Sequence, residues 1–114
     1  MASMFSFRTR SSDRDRNTDM QRMNRLCTLA REIAAEVSKE REGLKGRRQR
    51  EADSAAFLME ATANGDAGSA SRLDTLSASI MQAEDRLAML DRQLEWLGSL
   101  DETMGGYPAA PENA

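Results

Sequence analysis

Histidine is absent from this chain, and Cys27 is its only cysteine. Without histidine there is no Ser-His or Cys-His catalytic pair and no zinc site built on His and Cys. A lone thiol cannot close an intramolecular disulfide, which fits a reducing compartment. Both prolines, Pro108 and Pro111, fall in the last seven residues, so none interrupts a helix before them. Aromatics are scarce: three Phe, one Trp and one Tyr. No apolar run approaches the ~18 residues of a membrane span. The N-terminus is too short and too polar for a signal-peptide core. A soluble, cytoplasmic protein is the expectation.

What is present is charge and helix-forming residues. Of 114 residues, 31% are charged and 39% hydrophobic, a balance suited to long, half-exposed helices rather than a thick core. Between Leu73 and Met104 apolar residues recur at alternating spacings of three and four: Leu73, Leu76, Ile80, Ala83, Leu87, Leu90, Leu94, Leu97 and Met104. Only Asp101 breaks the series. Such a seam is buried only against another helix.

The rest of the chain arranges itself around that seam. Residues 1–17 mix Ser, Arg and Asp without periodicity and read as a flexible arm. Thr18 and Gln21 have the form of a capping box and open a first helix over 18–63. Asn64-Gly65-Asp66-Ala67-Gly68-Ser69 is the clearest break and gives a loop over 64–70. Ser71 and Asp74 form a second capping box for a helix over 71–104. Gly105-Gly106 then stops it ahead of an extended tail, 105–114. The expected fold is all-α, an antiparallel helical hairpin, with two hairpins dimerising into a four-helix bundle. Charge favours the pairing. Residues 1–50 hold 13 Lys/Arg against 7 Asp/Glu, whereas residues 51–114 hold 3 against 12.

The first helix has a weaker seam. Met23, Leu26, Ala30, Ile33 and Val37 keep heptad spacing, the pattern blurs through Arg41, Leu44 and Arg48, and it resumes at Ala52, Ala55, Ala56 and Met59. Folding the helices about the loop pairs residues i and j where i + j is about 135. That register sets Leu87 against Arg48 and Leu94 against Arg41, leaving two leucines under-covered. It also leaves Met20, Met23 and Leu26 without an intrachain partner. Met89, Trp96 and Leu100 make a further stripe outside the seam, so residues 87–100 are apolar over more than half the circumference. The candidate interface is therefore Met23, Leu26, Leu87, Met89, Leu90, Leu94, Trp96, Leu97 and Leu100.

Other chemistry is thin. Lys45, Arg47, Arg48 and Arg50, with the arginines of the arm, could meet phosphates. Glu40, Glu42 and Glu51 flank that cluster, no aromatic lies near to stack a base, and the net charge is −3. No calcium-loop pattern accompanies the acids. Neither a cofactor, a metal nor a small-molecule substrate is expected. Gly43 and Gly46, inside the first helix, could mark a kink, a close approach or a weak segment.

Trp96-Leu97-Gly98 resembles the Trp-x-Gly motif of the secreted WXG100 family of helical hairpins. There the motif occupies the turn; here it lies near the end of the second helix. In outline the chain also looks like the small coiled-coil chaperones and stalk components of bacterial type III and flagellar export, a likeness of shape without a motif. The reading that results is a non-enzymatic adaptor, assembly factor or chaperone-like subunit acting through a helix face. The competing one is a nucleic-acid-binding dimer.

Overall fold

A computed structural model describes residues 2–107, with side chains from residue 12 onward. The expected tail beyond Tyr107, and the side chains of the arm up to Ser11, lie outside the described residues. Two helices account for nearly all of the rest, α1 (Ala2–Ala63) and α2 (Ala67–Gly105). No strand occurs among the described residues. The fold class is thus all-α, a helical hairpin. No helix among them is long and apolar enough to cross a membrane.

Both expected capping boxes give way to other local chemistry. Helical backbone begins at Ala2, so Thr18 is inside α1, and its hydroxyl donates to the Arg14 carbonyl at 3.0 Å rather than capping a terminus. At the turn, Gly65 has φ 94°, a left-handed backbone that glycine adopts without steric cost. Its N–H donates to the Thr62 carbonyl and that of Asp66 to the Ala61 carbonyl, both at 3.1 Å. This double bond pattern is a Schellman motif, which satisfies two carbonyls that the helix end leaves open. One residue later Asp66 caps α2, accepting from the Gly68 N–H at 3.1 Å. The connection is three residues long, Asn64 to Asp66, because one short segment ends one helix and begins the next.

Asp66 also supplies a pH-dependent contribution. The Ser69 side chain, then the Gly68 N–H, hold its carboxyl below the ordinary value of 3.8. A carboxylate whose folded pKa is lowered stabilises above its unfolded pKa and loses that contribution as pH falls through the folded value. Asp66→Asn keeps a capping acceptor without a titrating group. Its thermal midpoint is therefore expected to fall less than that of the wild type when melts at pH 5 and pH 3 are compared.

The chain divides into two compact units, Ala34–Trp96 and Met1–Ile33 with Leu97–Ala114. In Ala34–Trp96 the half-buried α1 residues Ala34, Val37, Arg41, Leu44, Arg48, Glu51, Ala55, Leu58 and Thr62 follow a three-four alternation, with Lys45, Gly46 and Ala61 half-buried beside it. Ala52, Ala56 and Met59, expected to carry the seam, are exposed. From α2 come Leu73, Leu76, Ile80, Ala83, Leu87, Leu90 and Leu94, as the leucine series foretells. Ala83, Leu87 and Leu90 are buried, Leu90 completely.

The register differs from expectation. Contacts join Glu40 to Arg86, Arg41 to Asp91 and Glu51 to Ser79, pairs whose numbers add to 126, 132 and 130. Antiparallel arms count their partners from the turn, so moving its centre back to Gly65 shifts every pairing by about five residues. Leu87 comes level with Leu44, and Leu94 with Val37, instead of with Arg48 and Arg41. Leu87 is 6% exposed, so the expected shortage of cover does not exist there.

In the other unit, Met23, Cys27 and Ala30 of α1 share the inside with Leu97, Leu100, Asp101 and Met104 of α2. Leu26 and Ile33 do not, at 48% and 40% exposed. Asp101, the one interruption of the leucine series, accepts a hydrogen bond from Arg31 Nε at 2.9 Å. Cys27 is half-buried, a small apolar residue in a seam of small residues. Gly43 serves no close helix approach, because a Cβ there would meet nothing within 4 Å.

Candidate interaction surface

Within Ala34–Trp96 the interface residues expected from sequence separate into two groups. Leu87 and Leu90 are buried in the hairpin and Leu94 is half-buried, so intrachain packing consumes them. Met89 and Trp96 remain outward, 49% and 64% exposed. Arg86 lies across part of Met89, with Nη1 3.7 Å from its sulfur, while Nε and Nη2 grip the Glu40 carboxylate at 2.8 and 3.1 Å. That bidentate bond keeps the Glu40 carboxyl below its ordinary range.

Within the unit of Met1–Ile33 and Leu97–Ala114, Leu97 and Leu100 are half-buried. Met23 and Leu26 are not isolated, contrary to expectation. With Cys27 they line a hollow of about 310 Å³ whose other wall is Leu100, Thr103 and Met104 of α2 and Tyr107 just beyond it. The short turn carries α2 further along α1 than the longer loop would. Outside this hollow Leu26, Leu29 and Ile33 follow one another at spacings of three and four and form an exposed apolar stripe; Leu29 is 55% exposed.

Sequence reasoning missed Leu29 and put Leu26 and Ile33 on the heptad seam of α1, with Leu26 also named as a candidate interface residue. Two seams run through this stretch and share Ala30 and Val37. Hydrophobicity picks the one through Leu26 and Ile33, whereas the fold buries the one through Cys27 and Ala34. The signal was available in phase. Stepping back from Arg41 by sevens gives Ala34 and Cys27, and from Leu44 gives Val37, Ala30 and Met23.

Two members of the basic cluster pair within their own helix. Arg47 Nε lies 3.2 Å from Glu51 Oε1, and Lys45 Nζ is 4.0 Å from Glu42 Oε1. Arg48 is half-buried at a seam position, and Arg50 is exposed. No group of three or more Cys, Asp or Glu among the described residues could hold a metal ion.

These features define a class, the helical hairpin of coiled-coil type with unpartnered apolar residues on its outer faces. No protein-family model, no curated protein and no solved structure matches the chain.

Proposed function

We propose that this protein is a non-enzymatic, cytoplasmic helix-pairing module, an adaptor, assembly factor or chaperone-like subunit that docks another helix on its exposed apolar residues. The observation that carries this reading is the mismatch between a thin core and a rich exterior. Among the described residues the buried hydrophobic ones are Ala30, Ala83, Leu87 and Leu90, while Leu26, Leu29, Ile33, Met89 and Trp96 stay 40% to 64% exposed. Single exposed apolar residues are ordinary; clustering at helical spacing is what supports a docking face. The exposed half of each such side chain gains about 1 kcal/mol when covered, so a helix meeting several of them gains enough to bind. The intrahelical pairs of Lys45 and Arg47 favour charge pairing over phosphate binding for the basic cluster.

The test is photo-crosslinking of the full chain in its source cells, with a benzophenone amino acid at position 29, 96 or, as a control, 78. Positions 29 and 96 are expected to give discrete protein adducts, and 78 none. Uniformly absent adducts at 29 and 96, or equal labelling at 78, would sink the reading.

A further inference from the structure

We propose that the occupant of the Leu26–Leu29–Ile33 stripe is the same stripe of a second copy, running antiparallel across a two-fold axis near Leu29. This rests on the helix-pairing reading and names its partner. Charge selects the occupant. Arg25 and Glu32 are seven residues apart on α1 and so share one edge of the stripe, four residues before Leu29 and three after it. Neither has an ion-pair partner among the described residues.

A two-fold axis between antiparallel helices sets Arg25 of each copy opposite Glu32 of the other, two pairs for one operation. Parallel self-pairing would carry the Arg25–Glu32 edges of the two copies to opposite sides of the contact, where they could not pair. An unrelated helix would need its own matching charges, whereas this chain already carries both. The apolar order agrees. Leu26 of one copy comes level with Ile33 of the other, and Leu29 meets Leu29. Leu26 also rims the hollow completed by Leu100 and Tyr107, so Ile33 of the second copy arrives beside an apolar recess. The copies contribute identical surfaces, and the contact closes on itself rather than propagating.

Light scattering on a sizing column tests this with the full chain at rising concentration. The wild type is expected to approach twice its 12.6 kDa mass. Arg25→Glu and Glu32→Arg should each raise the dissociation constant about tenfold, and the double variant should restore it. Orientation is read separately in a Cys27→Ser background. Oxidising a mixture of Leu26→Cys and Ile33→Cys chains should give mainly the mixed covalent dimer, in excess over either self-linked product. Circular dichroism confirms that each variant keeps its helices.

A monomeric wild type up to millimolar concentration overturns the proposal, as does preferential self-linking of Leu26→Cys or a double variant that stays dissociated. A monomer whose position 29 still crosslinks to a different protein fails only the self-pairing. A monomer with no adduct at positions 29 and 96 fails the helix-pairing reading as well.

Discussion

Leu90→Ala is expected to lower the free energy of unfolding by about 2–5 kcal/mol, read as a drop in the urea midpoint with an unchanged slope. Among the described residues Leu90 is the largest fully buried side chain, and Ala30, Ala83 and Leu87 are the other buried hydrophobic ones. Truncation removes the favourable transfer of three heavy atoms from water and leaves a void between two helices that are held apart by their remaining side chains. A small domain has roughly 5–15 kcal/mol in total, so this one change removes a large share. Trp96→Ala is the contrast. Trp96 is the larger residue but is 64% exposed, so its removal is expected to shift the midpoint of the isolated chain by no more than ~0.5 kcal/mol. Equal losses at the two positions would mean that Trp96 is buried and that the outward placement is mistaken.

Glu51→Met is expected to act in the opposite direction, stabilising by about 1–2 kcal/mol and raising the thermal midpoint by several degrees. Glu51 occupies an inward position of α1, its side chain 18% exposed. One carboxylate oxygen accepts from the Ser79 hydroxyl at 3.0 Å and forms an ion pair with Arg47, 3.2 Å from its Nε. The other, Oε2, is buried with no hydrogen-bond partner among the described residues. An unsatisfied buried oxygen costs about 1–3 kcal/mol. Methionine removes that cost and extends the apolar seam beside Ile80. Against it stands the loss of one acceptor for Ser79, about 1 kcal/mol, while the half-exposed Arg47 regains water. A midpoint that falls instead would show Glu51 holding the hairpin together through Ser79 and Arg47. A single polar seam position can also fix register. Arg41, Arg48 and Glu51 are polar residues at seam positions of α1, and the variant measures the stability that one of them gives up.

The arrangement at Arg41 shows how the two effects combine. Arg41 stands level with Leu90, and its guanidinium reaches out to Asp91. Its aliphatic stem covers apolar surface while the charged end stays at the boundary with water. Arg41 is therefore a seam residue rather than a break in the seam. An arginine can line a seam provided that an acid waits at its edge, and the acidic second helix supplies one.

The sequence by itself determined two long helices, the place of the break between them though not its length, and the inner face of α2. The leucine repeat from Leu73 to Leu94 needs no knowledge of its partner, because periodicity alone marks the side of a helix that water disfavours. Asn64-Gly65-Asp66 likewise announces the break through residues whose backbone and side-chain preferences are local. Tertiary structure decided what depends on both helices at once. The length of the turn set the register, and the register gave Leu87 and Leu94 apolar neighbours in place of arginines. On α1 the inner row through Cys27, Ala30 and Ala34 is less hydrophobic than the exposed row through Leu26, Leu29 and Ile33. Small residues allow the close approach of a second helix, so geometry at the contact selects them, and the larger apolar side chains are left facing outward.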